Sequence, residues 1–182
     1  SLWLFDQNNN TDLSKDLSKK WLCYMKETGT HKPTGLFITE VLGARKYSNQ
    51  PRGCALSYLV HYMGRFAPNQ AKIQWKLYKK HMKTRIMGKT GFREFLRDYD
   101  GAWTPDSGPI IAGIGIAATG LALNAASTIG DKKTYRALEK SMNPVHSLLI
   151  KGNVIPGINK VSKIGTDLLS SAIWLNAETK CL

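Results

Sequence analysis

The sequence predicts an all-α protein, roughly half of an α/α toroid in which pairs of helices recur about every 57 residues. Two observations lead to this prediction. Segments with helical periodicity occupy most of the chain, and apolar helices alternate with amphipathic ones. The apolar helices begin near positions 52, 108 and 165, and the amphipathic helices near positions 11, 69 and 131. Because no pair can bury its own apolar face, neighbouring pairs must stack, and an inner ring of apolar helices inside an outer amphipathic ring satisfies the pattern.

Six helices are predicted within one domain that spans residues 1–182. They cover residues 11–28, 54–66, 70–87, 109–129, 131–150 and 163–178. The first begins at the capping residues Thr11 and Asp12 and stops at Gly29. The fourth opens at Pro109, a tolerated residue in the first turn of a helix, and its many small residues allow close approach of neighbouring helices.

Composition bounds the chemistry. A chain of 182 residues with 42% apolar residues can bury a sizeable core. Lys and Arg total 26 against 13 Asp and Glu, a formal net charge of +13, which favours association with anionic partners such as lipid headgroups, acidic glycans or nucleic acid. The three cysteines are too few for a disulfide framework, and the four histidines lack the spacing of metal ligands. Neither a metal site nor a cofactor is predicted.

Two segments of the sequence, the N-terminus and the longest run without charged residues, are informative about the cellular location of the protein. The first ten residues contain no basic segment and no long apolar segment, so a signal peptide is not expected. The missing initiator Met indicates that the chain derives from something longer. The bacterial cytoplasm or a membrane-associated position is favoured. Residues 107–130 contain no charged side chain and are long enough to span a bilayer, which is the rival interpretation to a buried helix.

The loops before the apolar helices are the predicted place for a functional site, because in a ring they open on one face beside the helix N-termini. The loop over residues 91–109 is the richest in unusual residues. Glu94 and Asp106 are the predicted catalytic acid and base, since two carboxylates near aromatic walls can have different pKa values. Arg52 and Arg93 are predicted to orient an anionic or polyhydroxy substrate. The predicted stacking surfaces are Phe92, Tyr99 and Trp103.

Structural roles are the alternatives for these residues. Arg93 and Glu94 would then form an ion pair, and Asp106 would cap the helix that opens at Pro109. Cys54 lies where a helix N-terminus lowers the pKa of a thiol, although most such cysteines are small core residues. For His61, a hydrogen-bonded histidine in the core is the commoner role.

A basic stripe follows one face of the third predicted helix. It consists of Lys72, Lys76, Lys79, Lys80 and Lys83. Such a stripe is most often a solvated outer face. Its functional alternative is contact with an anionic membrane surface or an anionic polymer, of which nucleic acid is not favoured.

Three stretches resemble a known class of proteins. They are PRGCALS at 51–57, GFRE at 91–94, and DSGP at 106–109 with the Gly/Ala-rich helix and the Gly130-Asp131 pair that follow it. Together they resemble α/α-toroid proteins of the linalool dehydratase/isomerase-like kind and, more loosely, toroid glycoside hydrolases and polysaccharide lyases. The resemblance covers residues 50–178. It implies six helix pairs in a closed ring, a deep central cavity, acid/base chemistry without an organic cofactor, and an attached membrane region upstream. No catalytic residue of the dehydratase/isomerase can be matched, which leaves the substrate open.

The sequence thus favours an enzyme-like domain, of hydrolase or lyase type, that acts on a carbohydrate or other hydroxylated small molecule by general acid/base catalysis. The alternative is a non-catalytic helical scaffold that binds a membrane surface or anionic polymer through its basic outer helix. As half of a ring, the chain is expected to need a missing N-terminal half or a second copy against its apolar flanks. Convergence of Arg52, Glu94 and Asp106 on one pocket would favour the enzyme.

Overall fold

Pairs of consecutive helices are separated by short antiparallel ladders in the computed structural model, which describes residues 2–43, 46–99 and 107–150. The helices are α1 (Leu2–Asn9), α2 (Leu13–Glu27), α3 (Gly53–Phe66), α4 (Pro68–Met82), α5 (Ile116–Ile129) and α6 (Lys132–Ile150). The strands are β1 (Val41–Gly43), β2 (Lys46–Tyr47), β3 (Lys83–Ile86), β4 (Lys89–Phe92), β5 (Ile110–Ile111) and β6 (Ile114–Gly115).

The chain is a mixture of α and β structure, so the prediction of an all-α α/α toroid is wrong. The finding that overturns it is three two-stranded antiparallel ladders, β1–β2, β3–β4 and β5–β6. The ladder β5–β6, and the first strand of β3–β4, occupy residues that the periodicity assigns to helices. The helix predicted over 70–87 ends at Met82, and the helix predicted from 109 begins at Ile116. The helix predicted over 163–178 lies outside the described residues.

Turn chemistry explains the two ladders that replace helix. Met87 and Gly88 connect β3 to β4 with φ angles of 48° and 79°, and Ala112 and Gly113 connect β5 to β6 with 50° and 80°. Two consecutive residues with positive φ form a turn whose twist matches that of the paired strands. Glycine adopts this conformation without strain, and the β-branched residues beside each turn favour strands. Local turn preference therefore outweighs helical periodicity at both places.

Helix α3 lies at the centre of the fold, packed against α4 and along α5. Its Leu56 and Val60 are fully buried in the main core cluster, together with Ala118 of α5. The two helices approach closely, because a methyl group on Gly64 of α3 would lie only 2.4 Å from Cγ2 of Thr128 on α5. Each large apolar side chain buried here contributes about 1.5–3 kcal/mol.

Strand β4 leads the chain from the surface into this core. The ring of Phe92 is fully buried and stacks on Tyr78, with 4.3 Å between ring centroids, and lies 5.4 Å from Trp75. This aromatic cluster fixes the end of β4. As a result, the backbone of Glu94 passes beside the start of α3, where its carbonyl oxygen accepts a hydrogen bond from the Gly53 N–H at 2.8 Å.

Among the residues that the structure describes, no helix combines the length and apolar character needed to cross a membrane. Helix α5, which lies within the uncharged run over 107–130, has 14 residues. A helix that crosses a bilayer needs about 20.

Candidate active site

A buried carboxylate, that of Glu94, lies at the N-terminus of α3. Its side chain is 0% exposed. The backbone N–H of Cys54 donates to Oε2 at 3.1 Å, and the thiol of Cys54 donates to Oε1 at 3.0 Å. The Nε of Arg52 donates to Oε1 at 3.2 Å. All three donors come from the first turn of α3 and the residue before it, so the carboxylate joins the end of β4 to the start of this helix.

Two glycines provide the space for this arrangement. A methyl group on Gly53 would lie 2.1 Å from the carbonyl oxygen of Arg93, much closer than such atoms approach in folded proteins. A methyl group on Gly115 would lie 3.1 Å from Cβ of Glu94 and 3.2 Å from its Oε2. Gly53 thus lets the strand end meet the helix, and Gly115 leaves room for the carboxylate.

Burial raises the pKa of Glu94, because removal from water disfavours the charged form of a carboxyl group. The hydrogen bonds from Cys54 and the charge and hydrogen bond of Arg52 lower the pKa and offset part of this effect. Glu94 therefore takes up a proton more readily than an ordinary glutamate. Carboxyl groups with this property are typical of acid/base sites.

Arg52 links Glu94 to a second carboxylate. Its Nη1 lies 3.9 Å from Oε1 of Glu40, whose side chain is 44% exposed. Its guanidinium carbon lies 5.8 Å from the centre of the Phe95 ring. One guanidinium therefore lies between a fully buried carboxylate and a solvated one. Carboxylates in such different environments are suited to opposite roles in proton transfer.

Cys54 connects Glu94 to an apolar groove of about 590 Å³. The groove is lined by Trp21, Cys54, Tyr58, Leu59, Tyr62 and Leu121, among others. The rings of Tyr58 and Tyr62 stack with 5.5 Å between centroids and are 44% and 49% exposed. Cys54, Tyr58 and Tyr62 follow one another at four-residue intervals and so share a face of α3. The volume is typical of sites for small molecules.

The structure brings together two of the residues that the sequence nominates, Arg52 and Glu94. Arg93 makes different contacts. Its guanidinium packs against the turn between β5 and β6, where a methyl group on Gly113 would lie 2.8 Å from Nη1. Its Nε is buried and has no hydrogen-bond partner among the described residues. The geometry therefore gives Arg93 no place beside Arg52 as a ligand-orienting group.

The aromatic residues nominated by the sequence fall in three different settings. Phe92 is fully buried in the core and cannot be the ligand-stacking surface predicted for it. Tyr99 is 37% exposed, with its ring 5.5 Å from that of Phe95, and lines a second cleft. Trp103 lies outside the described residues, as does the predicted base Asp106.

The sequence does not indicate that Glu40 and Phe95 belong to the site. It singles out both Cys54 and Glu94 but does not predict that they contact each other. The position of Cys54 in the first turn of α3 is a usable signal. Its contact with Glu94 joins residues 40 positions apart and depends on how β4 enters the core. No local motif contains that information.

The predicted basic stripe is divided in the structure. Lys79 donates to Oδ2 of Asp131 at 2.6 Å, and Nζ of Lys83 lies 3.4 Å from the hydroxyl oxygen of Thr134. Lys79 thus connects α4 to the residue before α6, and Lys83 connects the start of β3 to α6, so these two lysines do not face a common partner. The stripe residues that remain exposed are Lys72, Lys76 and Lys80.

Over the described part of the chain, no group of three His, Cys, Asp or Glu side chains is arranged to hold a metal ion. Comparisons with protein families, with curated proteins and with solved structures give no match. The resemblance to linalool dehydratase/isomerase-like proteins is therefore untested, and the geometry around Glu94 is the basis of the functional argument.

Proposed function

We propose that Glu94 and Cys54 form a proton-transfer pair for acid/base catalysis on a hydroxylated small molecule bound in the groove along α3. One observation supports this most. The Cys54 thiol donates a hydrogen bond to the buried carboxylate at 3.0 Å, and the same residue lines the groove. The thiol thus connects a carboxyl group that holds protons readily to a ligand that the carboxyl group itself does not reach.

The proposed step transfers two protons in sequence. With Glu94 protonated, the Cys54 thiol gives its proton to the ligand oxygen, and the carboxyl group returns a proton to the sulfur. The C–O bond then breaks with its electron pair on oxygen, which leaves as water or an alcohol. Loss of a neighbouring proton completes a lyase reaction, and capture of water followed by loss of its proton completes a hydrolase reaction. That released proton restores Glu94.

Arg52 stabilises the intermediate state of this cycle. Once Glu94 has given up its proton, the 3.2 Å hydrogen bond from the charged Arg52 Nε joins two oppositely charged groups and is stronger than the bond to the neutral carboxyl group. Asp106 is the base that the sequence nominates for the second half of the reaction. Among the described residues, Glu40 is the carboxylate that Arg52 brings close to the pair.

The lining of the groove supports a ligand with an apolar body and a hydroxyl group. Exposed aromatic rings and aliphatic side chains contact such a body, and the Cys54 thiol meets its oxygen. A carbohydrate, the other member of the predicted substrate class, also stacks on aromatic rings. It would need hydrogen-bond partners beyond Thr39 and the hydroxyl groups of Tyr58 and Tyr62.

The test measures conversion of a panel of hydroxylated compounds and glycosides, with products identified by NMR, for the wild type, Glu94→Gln and Cys54→Ala. A second thiol–carboxylate pair, Cys23 with Glu27 at 3.3 Å on the exposed face of α2, supplies the matched controls Glu27→Gln and Cys23→Ala. We expect the first two substitutions to reduce turnover about 10²–10⁴-fold and the controls to leave it unchanged. Turnover that survives Glu94→Gln would contradict the proposal, as would a panel without any substrate.

A purely structural role for Glu94 makes a different prediction. Breaking a buried ion pair costs about 3–5 kcal/mol of stability. Chemical denaturation of Glu94→Gln therefore accompanies the turnover assay. A large loss of stability with unchanged chemistry would assign Glu94 to the connection between β4 and α3.

A further inference from the structure

A second cleft, of about 420 Å³, lies among the segment after α2, the end of α4 and the residues after β4. Its charged and titratable lining residues are His31, Lys80, His81, Lys83, Arg97, Asp98 and Tyr99. Five of these seven are basic and one is acidic. Neither Glu94 nor Cys54 lines the cleft, so an inference about it stands apart from the proposed function.

Among the described residues, no acidic side chain forms an ion pair with the basic groups of this cleft. The Nδ1 of His31 lies 2.8 Å from the hydroxyl oxygen of Thr34, which leaves Nε2 for another partner. Nζ of Lys83 has a neutral neighbour, the hydroxyl oxygen of Thr134 at 3.4 Å.

Positive charge is concentrated enough for these groups to affect one another. Burial and the charge of His81 lower the pKa of His31. Burial lowers the pKa of Lys83, and the charges of Lys79 and Lys133 lower it further, against the opposing effect of Asp131. A bound anion would relieve this repulsion.

We propose that the cleft binds a small dianion, the phosphate or sulfate group of a hydroxylated compound. Lys80, His81 and Arg97 would donate charge-assisted hydrogen bonds to its oxygens. Gln50 also lines the cleft, and its buried Oε1 has no hydrogen-bond partner among the residues that the structure describes. This oxygen can accept a hydrogen bond from a hydroxyl group of the same ligand. The half-exposed ring of Tyr99 forms a wall for the uncharged part.

A small ligand fits these observations better than a polymer. The charges surround a concave space whose volume is that of a small-molecule site, and they are not spread along an open face. Lys72 and Lys76, on the same helix as Lys80, are exposed and lie outside the cleft. They provide a matched control for the effect of net charge.

The test titrates the full chain with inorganic sulfate by isothermal calorimetry, at an ionic strength held constant with chloride. The variant Lys80→Gln/Arg97→Gln and the control Lys72→Gln/Lys76→Gln each remove two positive charges. We expect saturable binding that weakens about tenfold or more in the cleft variant and changes less than about twofold in the control. A titration with inorganic phosphate at pH 7.5 shows which of the two dianions is preferred.

The histidines give the proposal a second readout. Sulfate stays dianionic over the pH range in which histidine side chains ordinarily change charge, and His31 and His81 are the two histidines in the lining of the cleft. Sulfate affinity should therefore fall as pH rises from about 5.5 to about 7.5. This pH dependence of sulfate affinity should vanish in His31→Gln/His81→Gln. The comparison can be made even if the variant Lys80→Gln/Arg97→Gln does not fold.

Two results would overturn the inference. Equal weakening in the cleft variant and the control would mean general attraction to a basic surface, as a membrane or polyanion would exploit. Absence of saturable sulfate binding at pH 5.5 would mean that the cleft does not hold a dianion.

Discussion

Glu94 and Asp131 hold similar places in the fold. Each carboxylate accepts a backbone N–H from the first turn of a helix, that of Cys54 in α3 at 3.1 Å for Glu94 and that of Thr134 in α6 at 3.0 Å for Asp131. Each also pairs with a cation. Yet the pKa of Glu94 lies above the ordinary value for its residue type and that of Asp131 lies well below.

Depth of burial separates the two carboxylates. Burial acts on Asp131 too and by itself would raise its pKa, but the hydrogen bonds from Lys79, Thr134 and Trp75 together outweigh it. The Asp131 side chain keeps 16% of its surface in solvent, whereas Glu94 keeps none. Similar donors therefore make Asp131 a permanently ionised link between helices and Glu94 a group that can exchange a proton.

The glycines beside these carboxylates should differ most in their tolerance of substitution. A side chain at Gly53 meets the backbone oxygen of Arg93 at 2.1 Å, and backbone cannot move aside as a side chain can. Gly130 precedes Asp131 with φ of 77° and open space around its Cβ position. In urea denaturation, Gly53→Ala should lower the free energy of unfolding by roughly 3 kcal/mol because of overpacking. Gly130→Ala should lower it by about 1 kcal/mol because of backbone strain. Equal losses would mean that β4 and α3 are less tightly joined than the structure indicates.

Substitution of the carboxylates themselves should affect stability in the reverse order. Asp131→Asn weakens a helix cap and an ion pair and should cost about 1–3 kcal/mol. Glu94→Gln keeps the shape of the side chain and removes a charge that burial disfavours, and Arg52 keeps Glu40 as a carboxylate partner, so this substitution should cost less. Thermal and urea unfolding of the two variants in parallel measure the difference. A Glu94→Gln variant that is the less stable of the two would reverse our assignment of roles.

The smallest expected effect is on the pH dependence of stability. The pKa of Glu94 is higher in the folded state than in the unfolded state. The contribution of its carboxyl group to the free energy of unfolding is therefore largest below the unfolded-state pKa of about 4.3, and it declines as pH rises through the folded-state pKa. The pKa of Asp131 is lower in the folded state than in the unfolded state. The contribution of its carboxyl group to the free energy of unfolding is therefore largest above the unfolded-state pKa of about 3.9, and it is lost as pH falls. As pH rises from 4.5 to 7, the free energy of unfolding of the wild type should therefore fall relative to that of Glu94→Gln. Its difference from the free energy of unfolding of Asp131→Asn should stay constant. Parallel slopes for both variants would refute the contrast.

Helical periodicity led to the wrong fold class for a local reason. Lys83 continues the spacing of the lysines on α4, so the amphipathic pattern extends past Met82, where the helix ends. The residues that favour a strand and a turn over a helix form only a short segment. They are the β-branched residues Thr84 and Ile86, followed by the turn at Met87 and Gly88. A turn that needs two residues with positive φ, one of them glycine, overrides a pattern whose remaining residues have no strong helical preference.

Part of the candidate site could be predicted because Arg52 and Glu94 lie in unusual local sequences. The position of Arg93 next to Glu94 predicts a shared site, but successive side chains of an extended segment point to opposite faces. Arg93 is in such a segment, paired with Ile114 in a β-bridge. The pairing of Cys54 with Glu94 depends on the buried position of Phe92, which tertiary packing decides.

The pKa of Glu94 is the quantity on which the proposed role depends most directly. A ¹³C NMR titration of the side-chain carboxyl carbons of the full chain measures it, with Glu94→Gln identifying the Glu94 signal. We predict a midpoint above the ordinary glutamate value of about 4.3. A midpoint at or below that value would contradict the account, because Glu94 would then be ionised throughout, as the partner of a structural ion pair.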